Sequence, residues 1–155
     1  MKKLIAIGII AIAVLTTYFV ELGVAKKYEF ELVSSTSDII VADGYSSMRV
    51  TVRLLKDNKP VEGHTVNIVC SNGTLPAYRM VTDHDGLFTF RYYAYLYLDD
   101  RLTPLTDVVF SFEDESNSTI FMVSAKGNVV FKAEKPEEEI VWEDWQDIEI
   151  DGETI

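Results

Sequence analysis

The sequence predicts an all-β protein, an antiparallel β-sandwich preceded by one N-terminal helix that is either a transmembrane segment or a signal. Three observations lead to this prediction. Residues 4–20 form an uninterrupted run without a charged side chain. Residues 28–133 contain short β-rich runs of alternating polarity, separated by turn residues. No stretch within residues 28–133 shows a convincing helical period.

Residues 1–27 are predicted to be a membrane signal-anchor. As a helix, the uncharged run 4–20 is about 26 Å long, slightly less than the roughly 30 Å core of a bilayer. Tyr18 and Phe19 suit the interfacial position that aromatic side chains prefer. The run is longer than the apolar core of about 7–15 residues in a signal peptide, which favours an uncleaved anchor. The alternative is a cleaved signal peptide whose small exit residues are 23–25.

The lysines that flank the run bear on its orientation. Lys2 and Lys3 favour a cytoplasmic N-terminus, whereas Lys26 and Lys27 on the other side oppose it. Because an N-terminal apolar segment before one large domain usually directs export, we expect residues 28–155 to lie outside the cytoplasm.

Charge and cysteine content narrow the class of protein. The formal net charge is −11, and residues 134–155 contribute −9 of it from one lysine and ten acidic residues. An acidic chain lacks the basic footprint of a nucleic-acid-binding protein. The single cysteine, Cys70, excludes an internal disulfide, and we expect it to be a small buried apolar residue. Core packing alone must therefore hold the exported domain.

Eight candidate strands follow the anchor. In the clearest, 48–54, apolar and polar residues alternate so that Met48, Val50, Val52 and Leu54 share one face. Turns rich in Asp, Asn and Gly separate the runs, and these residues tolerate tight backbone conformations. The predicted strands are 28–32, 39–41, 48–54, 65–70, 87–93, 107–112, 119–123 and 129–133. Short strands at this spacing are typical of an antiparallel sandwich.

The order of several short motifs points to a family. They are Ala42-Asp43-Gly44, Val50-Thr51-Val52, Asp57-Asn58-Lys59-Pro60-Val61, Val66, Ser71-Asn72-Gly73-Thr74-Leu75 and Thr82-Asp83-His84-Asp85-Gly86. This series resembles the bacterial Ig-like domains of the invasin/intimin type over roughly residues 30–133. The resemblance implies an Ig-like sandwich that serves as a spacer or binding module on a cell or virion surface. The chain has one copy, and residues 91–105 are unusually aromatic for that family.

We find no motif for catalysis or for metal binding. The turn 83–86 has too few oxygen ligands for calcium, which takes six to eight, and we interpret it as a hairpin turn. His64 and His84 stand beside no recognisable nucleophile. We therefore expect a protein that is not an enzyme, with no catalytic residue, cofactor, metal or small-molecule substrate.

The segment 92–101 contains four tyrosines in six residues. If the strand before it continues, Tyr93, Tyr95 and Tyr97 share one face, and tyrosine is well suited to protein interfaces. These three residues are our first candidates for contact with a partner. The alternatives are a solvated outer face or a loop that folds back on the sandwich.

Residues 134–155 are predicted to form an acidic C-terminal arm. Both tryptophans of the chain lie there, whereas disordered tails have few aromatic residues. The arm is expected to dock on a partner or a neighbouring subunit, by adding a strand to a sheet edge or by placing its tryptophans in a groove. A solvated tail, or one that packs on its own domain, is the alternative. The candidate contacts are Trp142, Trp145, Ile148 and Ile150.

These elements together predict a single-pass membrane protein with its domain on the extracytoplasmic side. Its expected role is that of an accessory or structural subunit that binds other proteins through the Ig-like domain. One alternative is a filament or pilus-like subunit whose N-terminal helix packs in the filament core. Another is a secreted adhesin or virion decoration module, released after signal cleavage.

Overall fold

The computed structural model of the chain describes residues 2–98, 100–117, 120–121 and 123–137. Within these residues it contains one long helix, nine strands and a 3-10 turn, Glu115–Asn117, that follows the eighth strand. The elements are α1 (Lys2–Ala25), β1 (Tyr28–Ser35), β2 (Ile39–Val41), β3 (Ser47–Lys56), β4 (Lys59–Pro60), β5 (Thr65–Cys70), β6 (Arg79–Val81), β7 (Leu87–Tyr93), β8 (Val108–Asp114) and β9 (Lys126–Glu134).

The strands form two sheets that face each other. In the first sheet, β3 is central and pairs with β1 along one edge and with β7 and the short β4 along the other. The second sheet has the strand order β2-β9-β8-β5-β6. Every pair is antiparallel except β2 with β9, which is parallel. The chain thus passes between sheets after β1, and the predicted Ig-like sandwich is confirmed.

The core lies between the sheets and follows the alternation seen in the sequence. Along β3, the side chains of Met48, Val50, Val52 and Leu54 are buried while their neighbours are not. Phenylalanines from both sheets meet in the centre, with the Phe90 and Phe110 ring centroids 5.2 Å apart in an edge-to-face contact. Such contacts add to the large apolar area that each ring removes from water. Core packing therefore takes the place of a disulfide.

The turn chemistry predicted between β3 and β4 is also confirmed. Asp57 and Asn58 have φ angles of 49° and 62°, and Lys56 pairs with Lys59 across them. Two central residues with positive φ form a type I′ turn, which matches the natural twist of a hairpin. Asp and Asn reach this conformation more readily than most residues.

The turn at 83–86 is a correction to the expected hairpin. Asp83 Oδ1 accepts hydrogen bonds from the N–H groups of Asp85 and Leu87, both at 2.9 Å, as expected for an Asx-type turn. The strands on either side of it, β6 and β7, belong to different sheets. The turn thus carries the chain across the sandwich, which local sequence cannot distinguish from a hairpin.

The strand predicted at 119–123 is wrong for the residues that the structure describes. Ile120 and Phe121 lie in a bend, and their N–H groups bond to a helix side chain instead of a neighbouring strand. A strand here could not have paired with the preceding strand β8, which is already paired on both sides, by β5 and β9. The pattern also missed the short strands β4 and β6, which are only two and three residues long.

Candidate interaction sites at the two ends of the sandwich

The helix joins the sandwich without a flexible linker. Only Lys26 and Lys27 separate α1 from β1. The N–H of Lys26 still donates to the carbonyl of Leu22, at 3.1 Å, and the carbonyl of Lys27 accepts from the N–H of Asp57, at 3.0 Å. Every residue of the junction is therefore hydrogen-bonded on one side or the other. We call this the helix-proximal end of the sandwich.

One carboxylate of the helix belongs to the sandwich. The side chain of Glu21 is only 8% exposed, and its two oxygens accept the N–H groups of Ile120 and Phe121, each at 3.0 Å. Hydrogen bonds to an ionised carboxylate are stronger than those between neutral groups. The Phe121 ring also packs edge-on against Tyr18, with centroids 5.9 Å apart. The helix is thus fastened to the loop before β9 as well as to β1.

The helix itself has the length and composition of a membrane span. Residues 5–25 form one apolar helical stretch of 21 residues near the N-terminus. Its apolar side chains up to Val20 are exposed around the whole circumference, as for Ile5, Ile9 and Phe19. A signal sequence has the same properties, so this observation alone shows an apolar helix that nothing in the sandwich covers.

The far end of the sandwich lies opposite the helix. There β3 begins at Ser47, β7 ends at Tyr93 and β9 ends at Glu134. The ten residues of β3 span about 33 Å at the rise of a β-strand. The tyrosine-rich segment and the start of the C-terminal arm therefore both lie at the far end, roughly one strand length from the helix.

The structure places the three candidate tyrosines in different environments. Tyr95 is buried, and its hydroxyl donates to the carbonyl of Thr106 and accepts from the Thr106 N–H, both at 3.0 Å. Tyr93 ends β7, where its backbone exchanges hydrogen bonds with Thr74. Tyr97 donates to Asp100 at 3.1 Å and is partly exposed. Because the strand stops at Tyr93, the expected single tyrosine face does not form, and the segment folds back on the sandwich.

Leucines provide the exposed apolar surface of this segment. Leu96, Leu98 and Leu102 all expose about half of the side chain or more. Tyr45, from the turn between β2 and β3, is also exposed at this end. A bridge between Asp43 and Leu96 connects that turn to the segment. The sequence pattern did not single out these leucines, because in a continued strand Leu96 and Leu98 would share the face opposite the three tyrosines.

The remaining candidate contacts, Trp142, Trp145, Ile148 and Ile150, lie outside the described residues. The structure describes the chain as far as residue 137, three residues beyond the end of β9. The prediction for the arm therefore stays a prediction.

His64 and Asp114 form a hydrogen-bonded pair that the sequence pattern did not indicate. His64 Nδ1 lies 2.9 Å from the carboxylate of Asp114, whose side chain is fully buried. Asp114 also accepts from the N–H of Ser116, and Ser116 Oγ accepts from the N–H of Thr65. This network fastens the start of β5 to the end of β8. No group of three potential metal ligands occurs within the described part of the chain.

Cys70 and Tyr92 are packed together near the far end. Burial raises the pKa of the Cys70 thiol, which is half-buried and donates to the carbonyl of Gly73 at 3.7 Å. Burial raises the pKa of Tyr92 to about 12, and the neighbouring Cys70 is the second cause of this rise. The Tyr92 hydroxyl makes no hydrogen bond of normal geometry within the described residues. The backbone of Tyr95 offsets only a small part of the rise in the pKa of Tyr92. These groups are packing residues of the core.

No protein-family model matches this chain, and no curated protein matches it. Among solved structures, the chain is similar to the D0-D1 domain of intimin, with 20% identity over 67% of this chain and 49% of that chain, at a TM-score of 0.44. It is also similar to the Yersinia pseudotuberculosis adhesin InvE, with 24% identity over 68% of this chain and 26% of that chain, at a TM-score of 0.45.

A third similar structure is the C-terminal 282-residue fragment of intimin in complex with the intimin-binding domain of the translocated intimin receptor. Identity is 22% over 65% of this chain and 32% of that chain, at a TM-score of 0.44. The chain spans half or less of the length of these structures. The likeness is one of fold.

Proposed function

We propose that this chain is a non-enzymatic, single-pass membrane protein whose Ig-like sandwich stands outside the cytoplasm and binds other proteins at its far end. The helix junction is the observation that carries the proposal. The apolar helix runs into β1 through two residues, and its Glu21 completes the hydrogen bonding of a sandwich loop. The helix is thus built into the folded domain.

This junction favours an anchor over a cleaved signal. Cleavage after Ala25, at the small residues 23–25, would remove Glu21 together with the helix. The N–H groups of Ile120 and Phe121 would then lose the acceptors they have at 3.0 Å. Phe121 would also lose its contact with Tyr18. A signal peptide that is discarded has no reason to make such contacts with the mature domain.

The far end is the proposed protein-binding surface. It combines the exposed leucines of the segment 96–102 with the partly exposed Tyr97, and the C-terminal arm starts beside it. A surface in which apolar side chains are ringed by polar ones is typical of protein interfaces. The sandwich then serves as a spacer that holds this surface about 30 Å from the membrane. Trp142 and Trp145 of the arm extend the same surface in this proposal.

Intact mass and cysteine labelling test the anchor and its orientation. The mass of the purified protein should correspond to a chain that keeps residues 1–27; loss of that segment would support the secreted alternative instead. In a Cys70→Ser background, a Lys59→Cys variant places a thiol on the exposed strand β4. A membrane-impermeant maleimide should label this variant in intact cells, whereas a Lys3→Cys variant should react only after lysis. The reverse pattern would contradict the orientation.

Partner recovery tests the far end. Cross-linking in intact cells should yield a defined complex for the native chain and for Val81→Asp, which changes an exposed valine of β6 that pairs with Thr65, away from the far end. Leu98→Asp and deletion of residues 138–155 should each reduce the complex. Equal recovery from all four proteins would refute the assignment of this end.

The filament alternative is distinguished by electron microscopy. The exposed helix fits either lipid or the helices of other subunits, because it is apolar on all sides. Membranes from expressing cells should show the protein dispersed in the bilayer and extractable as small particles in detergent. Regular filaments that contain the chain would favour the alternative.

A further inference from the structure

Glu21 is an ionisable residue inside the apolar stretch of the helix. It lies four residues before the end of α1, about 6 Å along the axis, inside the stretch 5–25 that has the length of a membrane span. An ionisable side chain in such a stretch is costly unless it is paired or hydrogen-bonded. Here both oxygens are occupied by backbone N–H groups from the loop before β9. The carboxylate and the loop therefore compensate each other.

The loop reaches still deeper along the helix. Phe121 contacts the ring of Tyr18, which is seven residues, or about 10 Å, before the end of α1. A span of 21 residues is about 31 Å long and needs almost all of its length to cross a bilayer core of roughly 30 Å. Residues 18–21 must then lie at or inside the boundary of the core. The bend at 120–121 lies beside them at the same depth.

The two described residues of the bend present apolar side chains at this depth. Ile120 is 77% exposed, and Phe121 stays 36% exposed beside the Tyr18 ring. In water, exposure of these side chains has a free-energy cost that grows with their exposed apolar area. At the membrane boundary it is favourable, provided that the backbone groups are hydrogen-bonded. Glu21 meets this condition for the two N–H groups.

We propose that the bend bearing Ile120 and Phe121 inserts into the outer leaflet beside the helix, and that Glu21 is the positioning residue that holds it there. The occupant of this apolar surface is the lipid bilayer itself. The proposal rests on the single-pass anchoring proposed above. Its consequence is a second point of attachment, so that the sandwich is held at a defined tilt instead of swinging about one helix.

Depth-dependent quenching measures the insertion. The full chain, as Cys70→Ser with one added cysteine, is labelled with an environment-sensitive fluorophore and reconstituted into phosphatidylcholine vesicles that contain doxyl-labelled lipid. A label at Ile120→Cys should be quenched by shallow doxyl groups and protected from iodide in the aqueous phase. A matched label at Tyr45→Cys, exposed at the far end, should show the opposite pattern. If both labels behave alike and respond to iodide, the insertion is refuted.

A third label separates this inference from the anchoring on which it rests. Val14→Cys lies within the apolar stretch and its side chain is exposed. Quenching of this label by deep doxyl groups, with an iodide-accessible label at position 120, would refute the insertion and leave the anchor intact. If the label at position 14 were accessible to iodide as well, anchoring itself would be refuted.

Substitution of Glu21 tests the positioning role. Glu21→Gln keeps one carbonyl oxygen for two N–H donors, and Glu21→Ala keeps none. Lipid quenching of the label at position 120 should fall stepwise from Glu to Gln to Ala, while quenching at position 14 stays constant. A merely structural role for Glu21 would lower the stability of the sandwich without changing the depth of the bend. Unchanged quenching at position 120 in Glu21→Ala would overturn the assignment.

Discussion

Gly73→Ala tests how closely the far end of the sandwich is packed. Gly73 has a φ angle of +83°, and a Cβ at this position would lie 2.4 Å from both Cε2 and the hydroxyl oxygen of Tyr92. Tyr92 is 1% exposed, so its ring has no free space into which to move. The substitution therefore adds two costs, one from the backbone and one from the clash.

The two costs have known sizes. A left-handed backbone conformation costs an L-residue about 1–2 kcal/mol, and overpacking of a closely packed core costs typically about 1–3 kcal/mol. We expect Gly73→Ala to lower the free energy of unfolding by about 2–5 kcal/mol. Gly63→Ala is the matched control, because Gly63 has a φ angle of +74° and nothing within 4 Å of the added Cβ. It should show the backbone cost alone.

Urea unfolding of the full chain in detergent measures both variants. Near-UV circular dichroism of the buried tyrosines is the suitable signal, because both tryptophans lie at 142 and 145 and their fluorescence reports on the arm instead of the core. Equal losses of stability in Gly63→Ala and Gly73→Ala would refute the reasoning, since they would leave no contribution from Tyr92.

Three further predictions concern the core and its titratable groups. Phe110→Ala should lower the free energy of unfolding by about 3–5 kcal/mol, because Phe110 is fully buried among other rings; a loss below 1 kcal/mol in urea titrations would contradict this. Tyr92→Phe should be neutral or stabilising at pH 7, because it removes a buried hydroxyl without a partner. The folded pKa of Tyr92 is raised to about 12, above the usual value of about 10 for tyrosine. Deprotonation of Tyr92 therefore favours the unfolded state, and the native protein should lose stability as the pH rises from about 10 towards 12. Tyr92→Phe has no phenolic proton and should lose less stability over this range. The hydrogen bond from Ser124, and secondarily Lys126, holds the pKa of Glu113 below its usual value. This contribution to stability is present above the unfolded pKa and is lost as the pH falls through the folded one, so Ser124→Ala should raise the Glu113 pKa in an NMR titration and reduce the acid sensitivity of the fold.

Strands of the sandwich were predictable where apolar residues lie on only one face of the strand. The alternation at 48–54 placed Met48 and Leu54 on the buried face, and the structure buries both. A shift of the strand register by one residue would turn the whole apolar face towards solvent, so the pattern allows only one register. The turn at Asp57 and Asn58 was predictable for a similar reason, since few residues adopt two successive positive φ angles.

The segments 92–101 and 119–123 were predicted less well because a local pattern does not show where a strand loses its partner. Beyond Tyr93, β7 has no further residue of β3 to pair with, because Tyr93 already pairs with Ser47, the first residue of β3. Tyr95 then turns inward to bond with Thr106. At 119–123, a short run of apolar residues suited a strand, but both edges of the preceding strand β8 were occupied.

The sequence by itself determined that an apolar helix precedes a disulfide-free sandwich, because hydrophobic periodicity and turn chemistry act within a few residues of the chain. The tertiary structure alone decided how the helix and the sandwich are joined. The partners of Glu21 stand 99 and 100 residues away, and no local signal links a carboxylate to N–H groups at that separation. Only the folded sandwich brings that loop beside the last turns of the helix. A buried carboxylate is costly unless it is hydrogen-bonded, and the N–H groups of this loop supply those hydrogen bonds.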